Sequence, residues 1–185
     1  GGTVIRSGQV ELRADNRLPT NGAVTVESPG VLYMQSKTQR VSELHGDGTV
    51  RFSFSTGSVP ATNIVTSLLS PGVDGPGTLQ FTRAGSLVLE ETATTRFELD
   101  APGGTNDLVQ IAPAGKLVLD GTLEIVNLGG IGTGTYTLFD LNGGSIAGAF
   151  DQLVLPPAVD GTVEVVGGDV VLHTVFRNGA LLLVR

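Results

Sequence analysis

The chain contains no cysteine and no tryptophan, and only 2 tyrosines, 2 histidines and 1 methionine. Without cysteine there are no disulfides, no thiolate metal ligands and no cysteine nucleophile. Without tryptophan, and with Tyr33 and Tyr136 alone, there is little aromatic platform for stacking sugar rings. Positive charge is scarce: 11 Lys+Arg face 18 Asp+Glu, a net charge of -7. That balance excludes the basic footprint of a nucleic-acid binder. Long apolar runs are missing as well. Leu181-Leu182-Leu183-Val184 is far shorter than the ~18 residues of a membrane helix, so no membrane-spanning segment is expected. The opening Gly1-Gly2-Thr3-Val4-Ile5-Arg6 lacks the charged and apolar regions of a signal peptide, and the chain is expected to be soluble as it stands.

Glycine and β-forming residues are abundant. The 27 glycines among 185 residues are about twice the usual share of ~7%. They carry no G-X-Y period, and the 40% hydrophobic content excludes disorder. No 12-residue window holds a helical apolar period free of glycine or proline. Short alternating segments recur instead. Examples are Ala23-Val24-Thr25-Val26, Val31-Leu32-Tyr33-Met34, Thr49-Val50-Arg51-Phe52, Ser86-Leu87-Val88-Leu89, Lys116-Leu117-Val118-Leu119 and Asp169-Val170-Val171-Leu172. A glycine stands before many of them. Gly30, Gly48, Gly77, Gly85, Gly115, Gly121 and Gly161 lie at intervals near 18 and 30 beside short ones of 6 and 8. Such spacing suits strands that turn corners within a coil and return one coil later. The expected fold is all-β, a right-handed parallel β-helix or β-solenoid. The alternative is an antiparallel β-sandwich with hairpins at Asp47-Gly48, Asn142-Gly143 and Asn178-Gly179.

One elongated solenoid over residues 1–185 is expected, with a kink or sub-boundary at residues 70–77, where two prolines and three glycines interrupt the strands. Charge shifts there too, from near balance before residue 70 to a strong acidic excess after it. The predicted core contains Val24, Val26, Leu32, Leu79, Leu87, Leu89, Leu117, Leu119, Leu123 and Ile125.

Gly1-Gly2-Thr3 through Leu12, then Asn16-Arg17-Leu18-Pro19 with Gly22 to Val26, resembles the autotransporter-associated β-strand repeat. Val41 to Val50 continues the pattern. Pro76-Gly77-Thr78-Leu79, Asn106-Asp107-Leu108-Val109 and Tyr136-Thr137-Leu138-Phe139 through Phe150 are similar to late passenger regions of that family. The resemblance implies a non-catalytic stalk or display scaffold, secreted or on a bacterial cell surface. A membrane barrel would need many further strands, so the chain is read as a passenger segment or a relative exported another way.

Chemistry is sparse. His45 precedes a Gly-Asp-Gly turn and His173 ends a strand, each without a motif around it. Glu98 with Asp100, and Glu90 with Glu91, are carboxylate pairs of the kind glycoside hydrolysis uses. Arg96 beside Glu98 reads better as a surface ion pair. Gly103-Gly104-Thr105-Asn106-Asp107 lacks the third glycine and tandem copy of a calcium-binding nonapeptide, so a glycine corner with an Asx turn is expected. Gly129 to Gly134 lacks a phosphate-loop lysine and is expected to be a flexible loop. No catalytic residue, cofactor or metal is assigned. The candidate partners are a surface glycan, bound on a flat β-face, and the chain itself, end to end. For the latter, Leu181, Leu182, Leu183 and Val184 in a C-terminal strand at 179–185 are the candidate self-association residues, capping the chain's own last coil or a neighbour's.

Overall fold

The computed structural model describes residues 1–53 and 60–177. They form eighteen strands and no helix, wound as a β-solenoid of about five turns. In chain order these are β1 (Thr3–Ile5), β2 (Gln9–Glu11), β3 (Ala23–Val26), β4 (Val31–Gln35), β5 (Thr38–Gly46), β6 (Thr49–Phe52), β7 (Thr62–Pro71), β8 (Thr78–Thr82) and β9 (Ser86–Leu89). The second half holds β10 (Thr94–Leu99), β11 (Leu108–Ile111), β12 (Lys116–Leu119), β13 (Thr122–Asn127), β14 (Gly134–Asp140), β15 (Ser145–Gly148), β16 (Gln152–Val154), β17 (Val159–Val166) and β18 (Asp169–Phe176). Two sheets face each other. Sheet A runs β1-β3-β5-β7-β10-β13-β16, with β9, β12 and β15 alongside. Sheet B runs β2-β4-β6-β8-β11-β14-β18-β17.

Among the described residues every strand-to-strand ladder between β1 and β16 is parallel, with a single antiparallel bridge from Gly46 to Gly72, which sets aside the sandwich. The glycine intervals are coil lengths. Val31 pairs with Thr49, 18 residues on, and Lys116 pairs with Ser86, 30 residues back. The coil therefore lengthens along the axis, and β7 is where it does so. Its first half pairs with β9 and its second half with β10, so one strand is succeeded by two with a turn between them. A register irregularity between Val41 and Glu43, where β5 meets β7, accompanies the change. Residues 72–77 form the turn from β7 to β8, and both sheets continue across it.

Stacking in register puts like on like. One interior column of sheet A reads Val24, Leu44, Leu69, Thr95, Leu123 and Leu153. A column of sheet B reads Leu32, Val50, Phe81 and Ile111. All ten predicted core residues are buried. Each such side chain contributes about 1.5–3 kcal/mol of transfer free energy. The wider coils of the solenoid are filled with aromatic side chains. Phe52, Phe81, Phe97 and Phe139 are their largest fully buried side chains. Phe52 stacks on Phe81 at 5.9 Å and Phe97 meets Phe139 edge-on at 5.3 Å.

The expected hairpins are not hairpins. Asp47-Gly48 and Asn142-Gly143 turn corners between sheets, because their flanking strands pair with other coils. Asn178-Gly179 and residues 179–185 lie outside the described residues. The hairpin that does form is β17–β18, closed by Gly167-Gly168, both at positive φ. Antiparallel β18 adds to β14 and ends the parallel run of sheet B.

Candidate functional site

The outward faces carry the chemistry, since inward positions are consumed by packing. On sheet A, in-register neighbours Thr25, His45 and Ser70 line an open groove of about 370 Å³ with Pro71 to Gly75 and Glu98. The groove exists because the 72–75 turn stands up beside the sheet. Gly72 donates its N–H to the Gly46 carbonyl at 2.8 Å, and Asp74 and Gly75 take positive φ. His45 Nε2 lies 2.9 Å from Glu43 Oε2 on its own strand, and no hydrogen bond joins it to Ser70 among the described residues. The geometry thus lacks the nucleophile–base contact of acyl transfer.

On sheet B, the outward side is a flat polar face. Tyr33 and Arg51 are in-register neighbours, with the guanidinium 4.3 Å from the ring centroid. Arg51 Nη2 donates to Gln9 Oε1 at 2.7 Å. Gln80 and Gln110 stack in register one coil apart, beside a shallow depression that Asn142 also lines. At one edge the Glu11 carboxyl is held below its ordinary value by hydrogen bonds from Gln35 and Arg13.

The carboxylates singled out in the sequence are placed separately. Arg96 pairs with Glu124 of the next coil at 2.8 Å, not with Glu98 as expected. In a parallel ladder the in-register neighbour is closer in reach than the i+2 residue of the same strand. Glu90 makes a two-point ion pair with Arg40, while Glu91 is exposed. Asp100 lies at the strand end, where its N–H donates to Asn106 Oδ1 at 2.6 Å. His173 lies 2.9 Å from Thr135 Oγ1 through Nδ1. Among the described residues no cluster of three or more His, Asp or Glu could hold a metal ion.

Two glycine-rich corners are more ordered than their composition suggests. Asn106 accepts from Asp100 and donates to the carbonyls of Ala101 and Gly104, so it ties a whole loop rather than a single Asx turn. The segment at Gly129 to Gly134, expected to be a flexible loop, is pinned. Asn127 Oδ1 accepts from Gly129 and Ile131, the Tyr136 hydroxyl accepts from Gly132, and Thr174 Oγ1 donates to the Gly132 carbonyl. The sequence reading missed the sheet B face, because Tyr33, Arg51, Gln80 and Gln110 belong to different coils. The signal available was their common outward parity within their strands. The self-association candidates Leu181, Leu182, Leu183 and Val184 lie outside the described residues.

No family model matches the chain. The chain is similar to the adhesin BmaC autotransporter of Brucella suis biovar 1 (strain 1330), at 34% identity over 108 residues. The match covers 55% of this chain and 3% of that protein, so the chain spans a small fraction of its relative's length.

Proposed function

We propose that the chain is a segment of a secreted or surface-displayed bacterial protein, a non-catalytic β-solenoid that serves as a display scaffold. The observation that carries this reading is the continuity of the packed columns. Among the described residues the interior columns stack from coil to coil, and several of the charged side chains are engaged one at a time. Glu90 is held by Arg40, Glu124 by Arg96, Glu43 by His45, and Asp107 by backbone N–H groups. Similarity to an autotransporter adhesin supports the setting at the cell surface. The test is incubation with a panel of bacterial and host polysaccharides, with product analysis. No cleavage is expected, and cleavage that disappears in Glu98→Gln or Asp100→Asn overturns the scaffold reading.

A second reading, adhesion to a glycan, is favoured by the sheet B face. Sugar hydroxyls need planar groups that both donate and accept, and the amides of Gln80 and Gln110 repeat such groups at the ~4.8 Å strand spacing. Tyr33 under Arg51 supplies an adjoining flat surface. A glycan array probed with the wild-type chain and with Tyr33→Ala and Gln80→Ala tests it. Binding that both substitutions weaken supports adhesion through this face, and binding unchanged by either places the adhesive surface elsewhere.

A further inference from the structure

The outward side of sheet B carries one column of side chains that keeps register across six successive strands. Gln9 on β2 is followed by Val31 on β4, Thr49 on β6, Gln80 on β8, Gln110 on β11 and Asp140 on β14. At the ~4.8 Å strand spacing this column is a stripe about 24 Å long that runs along the solenoid axis. Gln9 and Gln80 are exposed, and the other residues of the stripe are half-buried. Among the described residues the side chains of Thr49, Gln80 and Gln110 hold no hydrogen-bond partner, whereas Gln35 is tied to Glu11 and Gln39 to Leu18. A shallow trough of about 170 Å³ lies beside the stripe, lined by Gln80, Gln110 and Asn142. The stripe carries little charge. Asp140 stands at one end, where its carboxylate accepts the Asn142 N–H at 3.3 Å. Arg51, in the next column, is drawn over Tyr33 and donates to Gln9.

We propose that this stripe binds a linear, uncharged, β-linked polysaccharide laid along the solenoid axis, one sugar residue to each coil. The inference rests on the glycan-adhesion reading and adds the class and direction of the polymer. Spacing gives the direction. An extended β-linked pyranose chain advances by about one strand spacing per residue, so its hydroxyls recur in step with the stripe. A chain laid along a strand would instead meet side chains of a single coil. Composition gives the chemistry. The amides of Gln80 and Gln110 and the hydroxyl of Thr49 each donate and accept, as sugar hydroxyls do, and Val31 offers an apolar patch to the C–H face of a ring. Charge gives the class. A uronate or sulfated polymer would need a row of cations here, and the net charge of -7 repels a polyanion at longer range. Each contact on so open a face is weak, so affinity is built by repeating it along a polymer.

The test is calorimetric titration of the full 185-residue chain with β-1,4-linked glucose and N-acetylglucosamine oligomers, from disaccharide to hexasaccharide. Affinity for at least one series is expected to rise with each added residue, by about tenfold or more across the series. An α-1,4-linked glucose hexasaccharide, which coils, and a sulfated glucan are expected to bind more weakly. Thr49→Ala, Gln80→Ala and Gln110→Ala stand on successive strands, and each is expected to lower hexasaccharide affinity severalfold with the thermal midpoint unchanged. Equal affinity for disaccharide and hexasaccharide, or no binding of either series, overturns the proposal. Loss confined to a variant on one strand shows a glycan lying along that strand, and overturns it too. A glycan array separates this failure from that of the adhesion reading. Signal from branched or terminal sugars, without a gain from length, leaves adhesion standing, and a silent array removes both.

Discussion

The carboxylate of Asp107 accepts the backbone N–H of Gly77, one coil earlier, at 2.7 Å, and its second oxygen accepts the N–H of Glu98, also at 2.7 Å. Asp107 is fully buried. It joins the start of β8 to β10 and β11 at the corner where the wide coils turn, so a single side chain closes backbone pairing that no strand reaches.

Burial pushes the Asp107 carboxyl up to about 7, against the lowering effect of the two N–H donors, and the nearby Glu98 charge adds to the rise. The folded value exceeds the unfolded one. The group's contribution to stability is therefore fully present below pH ~4 and is lost as pH rises through about 7. Chemical denaturation at pH 5 and pH 8 is expected to show the wild type losing more stability between them than Asp107→Asn does. Equal losses in the two proteins would contradict the assignment. Asp107→Ala is expected to cost several kcal/mol, since it leaves two buried N–H groups without partners at about 1–3 kcal/mol each.

Asn63 is fully buried on β7, and its Nδ2 reaches only the Met34 sulfur, at 3.5 Å, while its Oδ1 has no partner among the described residues. Its in-register neighbour on β9 is Leu87. Replacing an unsatisfied amide with a hydrocarbon of similar volume removes a desolvation cost of about 1–3 kcal/mol. Asn63→Leu is therefore expected to raise the thermal midpoint. Gln39, its neighbour on the other side, differs because its amide accepts from Leu18 N and donates to Leu18 O. Gln39→Leu is expected to lower the midpoint. Shifts of the same sign in both variants would refute the distinction.

These two residues also explain where sequence reasoning stopped. The coil lengths and the ten core positions were legible, because a stacked strand repeats its parity and its glycine corners at the coil period. The strand β7 was not, because Asn63 stands inward where an apolar residue is expected and Ser67, of the same parity, is exposed. The terminal hairpin was not among the expected hairpins although Gly167-Gly168 is a hairpin signal, and Asp169 to Leu172 was recognised only as a strand. The surface partners were illegible in principle. Arg40 reaches Glu90 from 50 residues away, and nothing local to either residue records it.

The hairpin turn gives a third prediction. Gly167 and Gly168 both have φ in the left-handed region, with open space around each Cβ position. Asparagine tolerates this conformation and β-branched residues do not. Gly167→Asn is expected to hold or slightly raise stability, while Gly168→Val is expected to lower it by about 1–3 kcal/mol. A neutral Gly168→Val would mean that the turn is not formed as described.

The last prediction tests the widened core. A Cβ on Gly85 would collide with the ring of Phe52, the residue that fills the coil where β7 gives way to two strands. Gly85 has no positive φ, so the conflict is one of space and not of backbone conformation. Its carbonyl also accepts the N–H of Lys116 at 2.8 Å, so the backbone cannot retreat without loosening the next coil. Gly85→Ala is accordingly expected to cost about 1–3 kcal/mol through overpacking. Phe52→Leu alone should cost a comparable amount through the space it leaves beside Phe81. Because each change supplies what the other lacks, the double variant is expected to be more stable than the sum of the two losses predicts. Equilibrium denaturation of all four proteins gives the coupling energy. A coupling near zero would mean that Gly85 is not held by the Phe52 ring, and a destabilising one would mean that the coil contracts around Phe52 in some other way.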